Sequence, residues 1–168
     1  LPNNDLTLAQ INEKQCLKEL AFYLNISSHF DVAGFNRALA TLHHLPSEPL
    51  QFDDIQGMLR GTMDLVFSYQ DKYYLLDYKS NFLGETLKDY DQAALKKAML
   101  EHHYDWQYLL YVVALHRYLK TRLPHYDYDR DFGGVVYAFL RGMNGLPQSG
   151  IFFDKPDWQL IQQLEELF

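Results

Sequence analysis

The run Gly61-Thr62-Met63-Asp64-Leu65-Val66-Phe67-Ser68-Tyr69-Gln70-Asp71-Lys72-Tyr73-Tyr74-Leu75-Leu76-Asp77-Tyr78-Lys79-Ser80 decides the fold. Apolar and aromatic residues fill Met63 to Phe67 and Tyr73 to Leu76, and the polar stretch Ser68 to Lys72 separates them. Two short β-rich runs around a polar turn predict a β-hairpin. A two-residue loop at Gln70-Asp71 pairs Tyr69 with Lys72 and sets Asp64 opposite Asp77. Gln-Asp is not a favoured hairpin turn, so a slipped register or a longer loop stays open at this point. Side chains alternate along a strand, so Lys79 shares the face of Asp77. Asp64, Asp77 and Lys79 then converge at the open end of the hairpin.

Such a convergence needs compensation. Two carboxylates about 5 Å apart repel by roughly 3 kcal/mol at an effective dielectric near ~20, and like charges opposite one another destabilise a sheet. A hard divalent cation such as Mg²⁺ prefers carboxylate oxygens and converts repulsion into ligation. An ammonium at Lys79 could orient a water or stabilise charge developing on a phosphate. The bland alternative has both aspartates solvated and Lys79 neutralising them; these three residues alone leave the two readings evenly matched.

The motif extends further along the chain. Gly61-x-x-Asp64, thirteen residues on to Asp77-Tyr78-Lys79, and then Gln107-x-x-x-Tyr111 resembles the PD-(D/E)xK nucleases, and most of all the RecB-type nuclease domains of helicase–nucleases. Tyr73 to Asn81, Ala114 to Leu119 and Phe132 to Val135 resemble RecB segments in the same order, so the likeness covers essentially the whole chain. It implies an α/β, restriction-endonuclease-like fold, a mixed central sheet flanked by helices. It also implies a metal-dependent exodeoxyribonuclease: Asp64 and Asp77 as Mg²⁺ ligands with the Tyr78 carbonyl, Glu19 on the first strand as a further metal contact, and Lys79 as the catalytic cation. Gln107 and Tyr111, four apart and so on one helical face, are implied to contact nucleic acid or order the site. Without the resemblance Glu19 is a solvated carboxylate and Tyr111 a core aromatic.

Composition sets the bounds. The 168 residues fit one domain with a real core, and 48% hydrophobic with 15% aromatic residues exclude a disordered chain. No apolar run approaches the ~18 residues of a membrane span, and no signal-peptide pattern opens the chain. Cys16 is the single cysteine, which excludes an internal disulfide and suits a reducing, cytoplasmic compartment. The net charge of −7 counts against a free-standing nuclease, which needs Lys and Arg to track phosphates, but hardly against one fed by a neighbouring motor.

Working outward, Leu1 to Asn12 reads as a loose opening segment. Gln15 to Ile26 reads as a strand and Val32 to Leu42 as a short amphipathic helix, and Pro46 and Pro49 break any regular element beyond it. Gly61 either admits a phosphate or a backbone, or marks a bulge. Thr86 to Glu101 predicts a helix with Thr86-x-x-Asp89 as a capping box. His102-His103 interrupts it; adjacent helical residues point about 100° apart and cannot easily chelate one ion. Tyr104 to Arg122 is the strongest helix, with Trp106, Leu109, Leu110, Val113, Leu115 and Leu119 as its buried stripe. His116 reads as structural, and His43 and His44 as loop residues. His125 to Asp131 reads as a surface loop whose tyrosines could stack on single-stranded bases. Gly134 to Arg141 predicts a central buried strand, Ile151 to Phe153 a short strand, and Pro156 to Phe168 a helix with Pro156 in its first turn. No repeat or linker divides the chain, and helices are expected on both faces of the sheet.

The resemblance also implies DNA as substrate, RecC-like and RecD-like subunits and RecA as partners of the full-length protein, and double-strand-break repair and recombination as the process. RecB-like domains place a metal-binding histidine upstream of the first strand, whereas here Glu19 lies eighteen residues from Leu1. The expectation is therefore a fragment of a larger helicase–nuclease, 1–168 forming a single nuclease domain without that upstream helix, binding Mg²⁺ weakly and cleaving poorly alone. The alternative is a nuclease-fold module kept for protein docking, such as RecA loading. Net acidity favours it, and the intact Asp64, Asp77 and Lys79 argue against it.

Overall fold

The computed structural model describes residues 7–26, 30–43, 57–146 and 149–168, with backbone alone for 41–43. His44, Pro46, Pro49 and residues 1–6 of the opening segment lie outside the described residues. Five strands, β1 (Cys16–Ile26), β2 (Gly57–Tyr69), β3 (Lys72–Lys79), β4 (Phe132–Phe139) and β5 (Ile151–Asp154), form one mixed sheet in the order β1-β2-β3-β4-β5. The β3–β4 pair is parallel and the other three pairs are antiparallel. A parallel pair needs a long crossover, and the segment between β3 and β4 supplies it, chiefly with the helices α2 (Gln92–Glu101) and α3 (Tyr104–Arg122).

The hairpin has the anticipated register, from Tyr69–Lys72 to Leu65–Leu76. Its turn residues Gln70 and Asp71 both have positive φ, 48° and 60°, as a type I′ turn requires. Neither residue is a glycine, so the well-packed strands impose the turn; the stacked rings of Phe67 and Tyr74, 5.2 Å apart, lie just behind it.

A second irregularity sits in the outermost strand of the sheet order, β1. Glu19 has φ of 52° inside β1, a conformation uncommon for a non-glycine residue. Bridged pairs flank it at Lys18–Leu65 and Leu20–Met63, so Asp64 is its register partner on β2. Cys16, Leu65 and Phe67 pack in a small cluster on one face, whereas Leu20, Phe22, Leu24 and Met63 pack in the large core on the other. Even spacings separate Cys16 from Leu20 and Met63 from Leu65. Both strands therefore exchange faces at Glu19 and Asp64.

Gly61 has a purpose other than the two weighed from sequence. A Cβ there would stand 2.3 Å from the ring of Phe22, its partner across β1. The glycine makes room for that aromatic, which meets Tyr111 edge-on at 5.4 Å.

The helices α1 (Val32–His43), α2, α3 and α5 (Trp158–Glu165) all contribute to the one large core, as does Tyr128 of the short α4 (Tyr128–Asp131). His43 closes α1 instead of lying in a loop. Among the described residues the opposite face carries strand residues and Ile11 instead, so the expected two-sided helix cover is one-sided. α3 is buried around most of its circumference, adding Tyr108, Tyr111, Val112, Ala114 and His116 to the anticipated stripe, as a helix enclosed by other elements must be. The expected Thr86–Glu101 helix is two pieces: a 3₁₀ turn Leu87–Tyr90, then α2 capped by Asp91, whose Oδ1 accepts from the Ala93 and Ala94 N–H groups at 3.0 and 2.9 Å. The expected capping box of Thr86 and Asp89 is present ahead of the 3₁₀ turn, the Thr86 N–H donating to Asp89 Oδ2 at 2.8 Å. Pro156 precedes the N-cap Asp157 and so stands outside the first turn of α5, contrary to expectation. No helix among the described residues is long and apolar enough to cross a membrane.

Candidate active site

β3 alternates its side chains, so Asp77 and Lys79 face α3 while Tyr78 faces away. Asp77 is 4% and Lys79 8% exposed, and they form an ion pair with Nζ 2.5 Å from Asp77 Oδ2. Charges so deeply buried are tolerated only when paired and hydrogen-bonded. The structure meets that condition from α3: Lys79 Nζ donates to Gln107 Oε1 at 2.9 Å. Gln107 Oε1 also accepts from the Tyr137 hydroxyl at 3.1 Å, and its Nε2 donates to the Tyr111 hydroxyl at 3.1 Å. The rings of Tyr104 and Tyr137 complete the surroundings of the ammonium, 3.9 and 4.9 Å from Nζ to their centroids.

The electrostatics follow from this burial. Desolvation raises the Asp77 carboxyl above the ordinary carboxylate range; Lys79 opposes the rise and the charge of Asp64 adds to it. The Tyr111 phenol is pushed up to about 12, by burial first and then by Asp77 and Asp64. It is therefore a neutral hydrogen-bonding group at neutral pH. Both carboxylates thus act on the same small volume beside Gln107 and Tyr111.

Asp64 and Asp77 occupy the register position one step beyond Leu65–Leu76, the last bridged pair of the hairpin. There the backbone ladder gives way to a side chain: the Tyr78 N–H donates to Asp64 Oδ2 at 2.9 Å. Glu19, Asp64 and Tyr78 also line a cavity of about 580 Å³, with Lys18 on its wall. Glu19, Asp64 and Asp77 are consecutive across β1, β2 and β3, so the sequence-predicted acids fall in one row of the sheet.

Asp64 and Asp77 are the carboxylates that could hold a hard divalent cation. One carboxylate is held against water, its partner raises its affinity for a proton, and one ammonium offsets the two charges. Among the described residues, no three His, Cys, Asp or Glu side chains gather closely enough to hold an ion. Asp77 is turned toward Lys79, and Asp64 is tied to the Tyr78 backbone.

Tyr104 and Tyr137 are the contributions that sequence reasoning missed. Tyr104 stands three residues before Gln107, hence on the same helical face, which was the available signal; Tyr137 carried none beyond lying in an apolar strand. His102 stacks on Tyr104 at 5.3 Å, and His103 stands at the N-cap position of α3 with φ of 54°, so both histidines have structural places at the α2–α3 junction. His116 lies apart from the site, 3.5 Å from Glu165 and among Tyr126, Tyr128 and Trp158.

No protein-family model matches the chain. It is 63% identical over 163 residues to the RecBCD enzyme subunit RecB of Haemophilus influenzae, 97% of this chain and 14% of that protein. The subunit RecB of Escherichia coli is 43% identical over 171 residues, 100% of this chain and 14% of that protein. That of Mycobacterium tuberculosis is 35% identical over 191 residues, 96% and 17%. The chain thus spans about one seventh of the length of the first two curated relatives.

Proposed function

The chain is homologous along its whole length to a segment of the RecB subunit of RecBCD enzymes, and we propose that it is the nuclease module of such a subunit, hydrolysing DNA phosphodiester bonds with Mg²⁺. The observation that carries the proposal is Lys79, locked between Asp77 at 2.5 Å and Gln107 at 2.9 Å with Asp64 next in register. A structural ion pair alone would not need a second carboxylate beside it.

Asp64, Asp77 and the Tyr78 carbonyl would hold the cation, with Glu19 supplying a further carboxylate from β1. When bound, Mg²⁺ supplies a Lewis acid that neutralises charge on the scissile phosphate and eases deprotonation of water. Lys79 presents an ammonium to the attacking water or to the developing phosphate charge. Gln107 fixes the direction of that ammonium by taking one of its three donors, and Tyr111, neutral at working pH, holds the Gln107 amide. The apolar surroundings of Asp77 keep bulk water away, so each of these charges acts at low dielectric.

The names of the relatives support DNA repair and recombination as the process and the other subunits of a RecBCD-type enzyme as partners. A second reading, docking of a partner such as RecA with chemistry secondary, is favoured by the net charge of −7. The test is Mg²⁺-dependent degradation of linear single-stranded DNA by the full-length protein beside its Asp77→Ala and Lys79→Ala variants. Cleavage lost in both variants is expected. An inactive, folded wild type, or variants as active as wild type, overturns the nuclease reading in favour of docking.

A further inference from the structure

We propose that Tyr104 is a positioning residue whose ring is the seat of the Lys79 ammonium during DNA cleavage; this rests on the nuclease reading. Nζ lies 3.9 Å from the ring centroid, closer than any other cation to an aromatic ring among the described residues. A cation over an aromatic face is held by the ring quadrupole, and more strongly when desolvated, as Lys79 is.

The ring is itself fixed. Its hydroxyl donates to Asn81 Oδ1 at 3.0 Å, and the Asn81 Nδ2 lies 3.4 Å from His102 Nε2. His102 stacks on one side, while Tyr137 at 5.9 Å and Phe139 at 6.5 Å pack nearby. His103, in the left-handed region, turns the chain between α2 and α3 immediately before Tyr104.

The chemistry explains why a ring suits this position. Asp77 is shared between Lys79 and the proposed metal site, so its grip on the ammonium weakens whenever its charge is drawn elsewhere. A further carboxylate would hold Lys79 but would repel the phosphate the lysine must meet. An aromatic face attracts the ammonium while carrying no net charge. Gln107 Oε1 and the Tyr104 face together then keep Lys79 directed without neutralising it.

The test uses the full-length protein with Tyr104→Phe, Tyr104→Leu and a graded series of fluorinated phenylalanines at position 104, which keep the ring's shape while draining its negative face. Tyr104→Phe is expected to stay within about twofold of wild type in kcat. Tyr104→Leu and the most fluorinated ring should lose about tenfold in kcat, with KM and the half-saturating Mg²⁺ within about twofold. A kcat flat across the fluorinated series overturns the proposal, and so does Tyr104→Phe losing as much as Tyr104→Leu. The fluorinated series answers the question even where the leucine variant fails to fold. The rate of Lys79 acetylation in the metal-free protein, read by mass spectrometry, gives a readout independent of cleavage. It should rise with fluorination and stay unchanged in Tyr104→Phe; a rate indifferent to the ring overturns the seat. If wild type does not cleave DNA, the nuclease reading fails on that result, and the acetylation series still decides whether the ring holds the ammonium.

Discussion

Lys79 Nζ and Gln107 Oε1 meet at 2.9 Å, joining the last residue of β3 to the first turns of α3 across 28 positions of sequence. The bond satisfies a buried ammonium that has few other acceptors. Gln107→Leu is expected to cost about 1–3 kcal/mol of stability, the range for stranding a buried polar partner. Urea unfolding measures that loss. Cleavage of DNA should fall on the order of tenfold, with the half-saturating Mg²⁺ little changed, since Gln107 is not among the proposed metal ligands.

Asp77 predicts an unusual response to pH in the metal-free protein. Its folded-state carboxyl binds a proton more readily than in the unfolded chain, because burial disfavours the charge. Stability associated with Asp77 is therefore fully present below the unfolded carboxyl pKa and is lost as pH rises through the folded one. Asp77→Asn should remove this component from unfolding curves collected through the acidic range. Lys79→Met should enlarge it, destabilising by about 3–5 kcal/mol at neutral pH by leaving the carboxylate unpaired. Mg²⁺ should raise the neutral-pH midpoint of wild type through binding to the folded state, and Asp77→Asn should blunt that rise.

Glu19 is expected to set stability against metal binding. A non-glycine residue in the left-handed region costs about 1 kcal/mol, and Glu19 occupies that region within a strand. Glu19→Gly is expected to raise stability by up to about 1 kcal/mol, the relief of left-handed strain less the freedom that glycine adds to the unfolded chain, and at the same time to weaken Mg²⁺ binding. Glu19→Gln should weaken binding without the gain. Thermal midpoints and calorimetric titration with Mg²⁺ separate the two effects; a glycine variant that binds Mg²⁺ as wild type does removes Glu19 from the site.

His116 predicts the opposite pH slope. Burial lowers its pKa, with Glu165 opposing, so the folded state resists protonation that the unfolded chain accepts. Its contribution is present above the unfolded pKa of about 6.5 and is lost as pH falls toward the folded value. Thermal midpoints should drop between about pH 7 and 5.5 in wild type, and His116→Phe should flatten that slope. DNA cleavage at pH 8 should be unaffected, since His116 lies outside the site.

The hairpin was readable because its two halves are local and alternate cleanly, and its register follows from the apolar pattern. The type I′ turn was not, because Gln70 and Asp71 lack the usual Asn-Gly signal; pairing of the flanking strands overrides the local preference. Gln107 and Tyr111 were placed by helical spacing together with the family resemblance, and they meet on one face, though the bond of Gln107 to Lys79 bridges elements whose packing no local pattern encodes. Gly61 was read as an opening for a ligand or a bulge, whereas its use is room for Phe22, a contact fixed only once β1 pairs with β2. The row of Glu19, Asp64 and Asp77 had a register basis in one hairpin only; the β1–β2 pairing that completes it is non-local, closed across the segment that holds α1, and no local pattern sets its register.

Among the described residues β1 is bonded on one side alone, and much of its first half, including Glu19, is exposed. Lys79, Gln107 and Tyr137 instead belong to β3, α3 and β4, the most enclosed part of the molecule. The two halves of the site therefore rest on scaffolds of unequal permanence. Local opening begins where few buried contacts hold the backbone, so Glu19 can part from Asp64 while Lys79 and its aromatic surroundings stay folded. Amide exchange would register this as rapid labelling along the start of β1 beside near-global protection of β4 and α3. On the nuclease reading, the cationic half of the site would then serve as a fixed anvil, and Glu19 as the part that comes and goes.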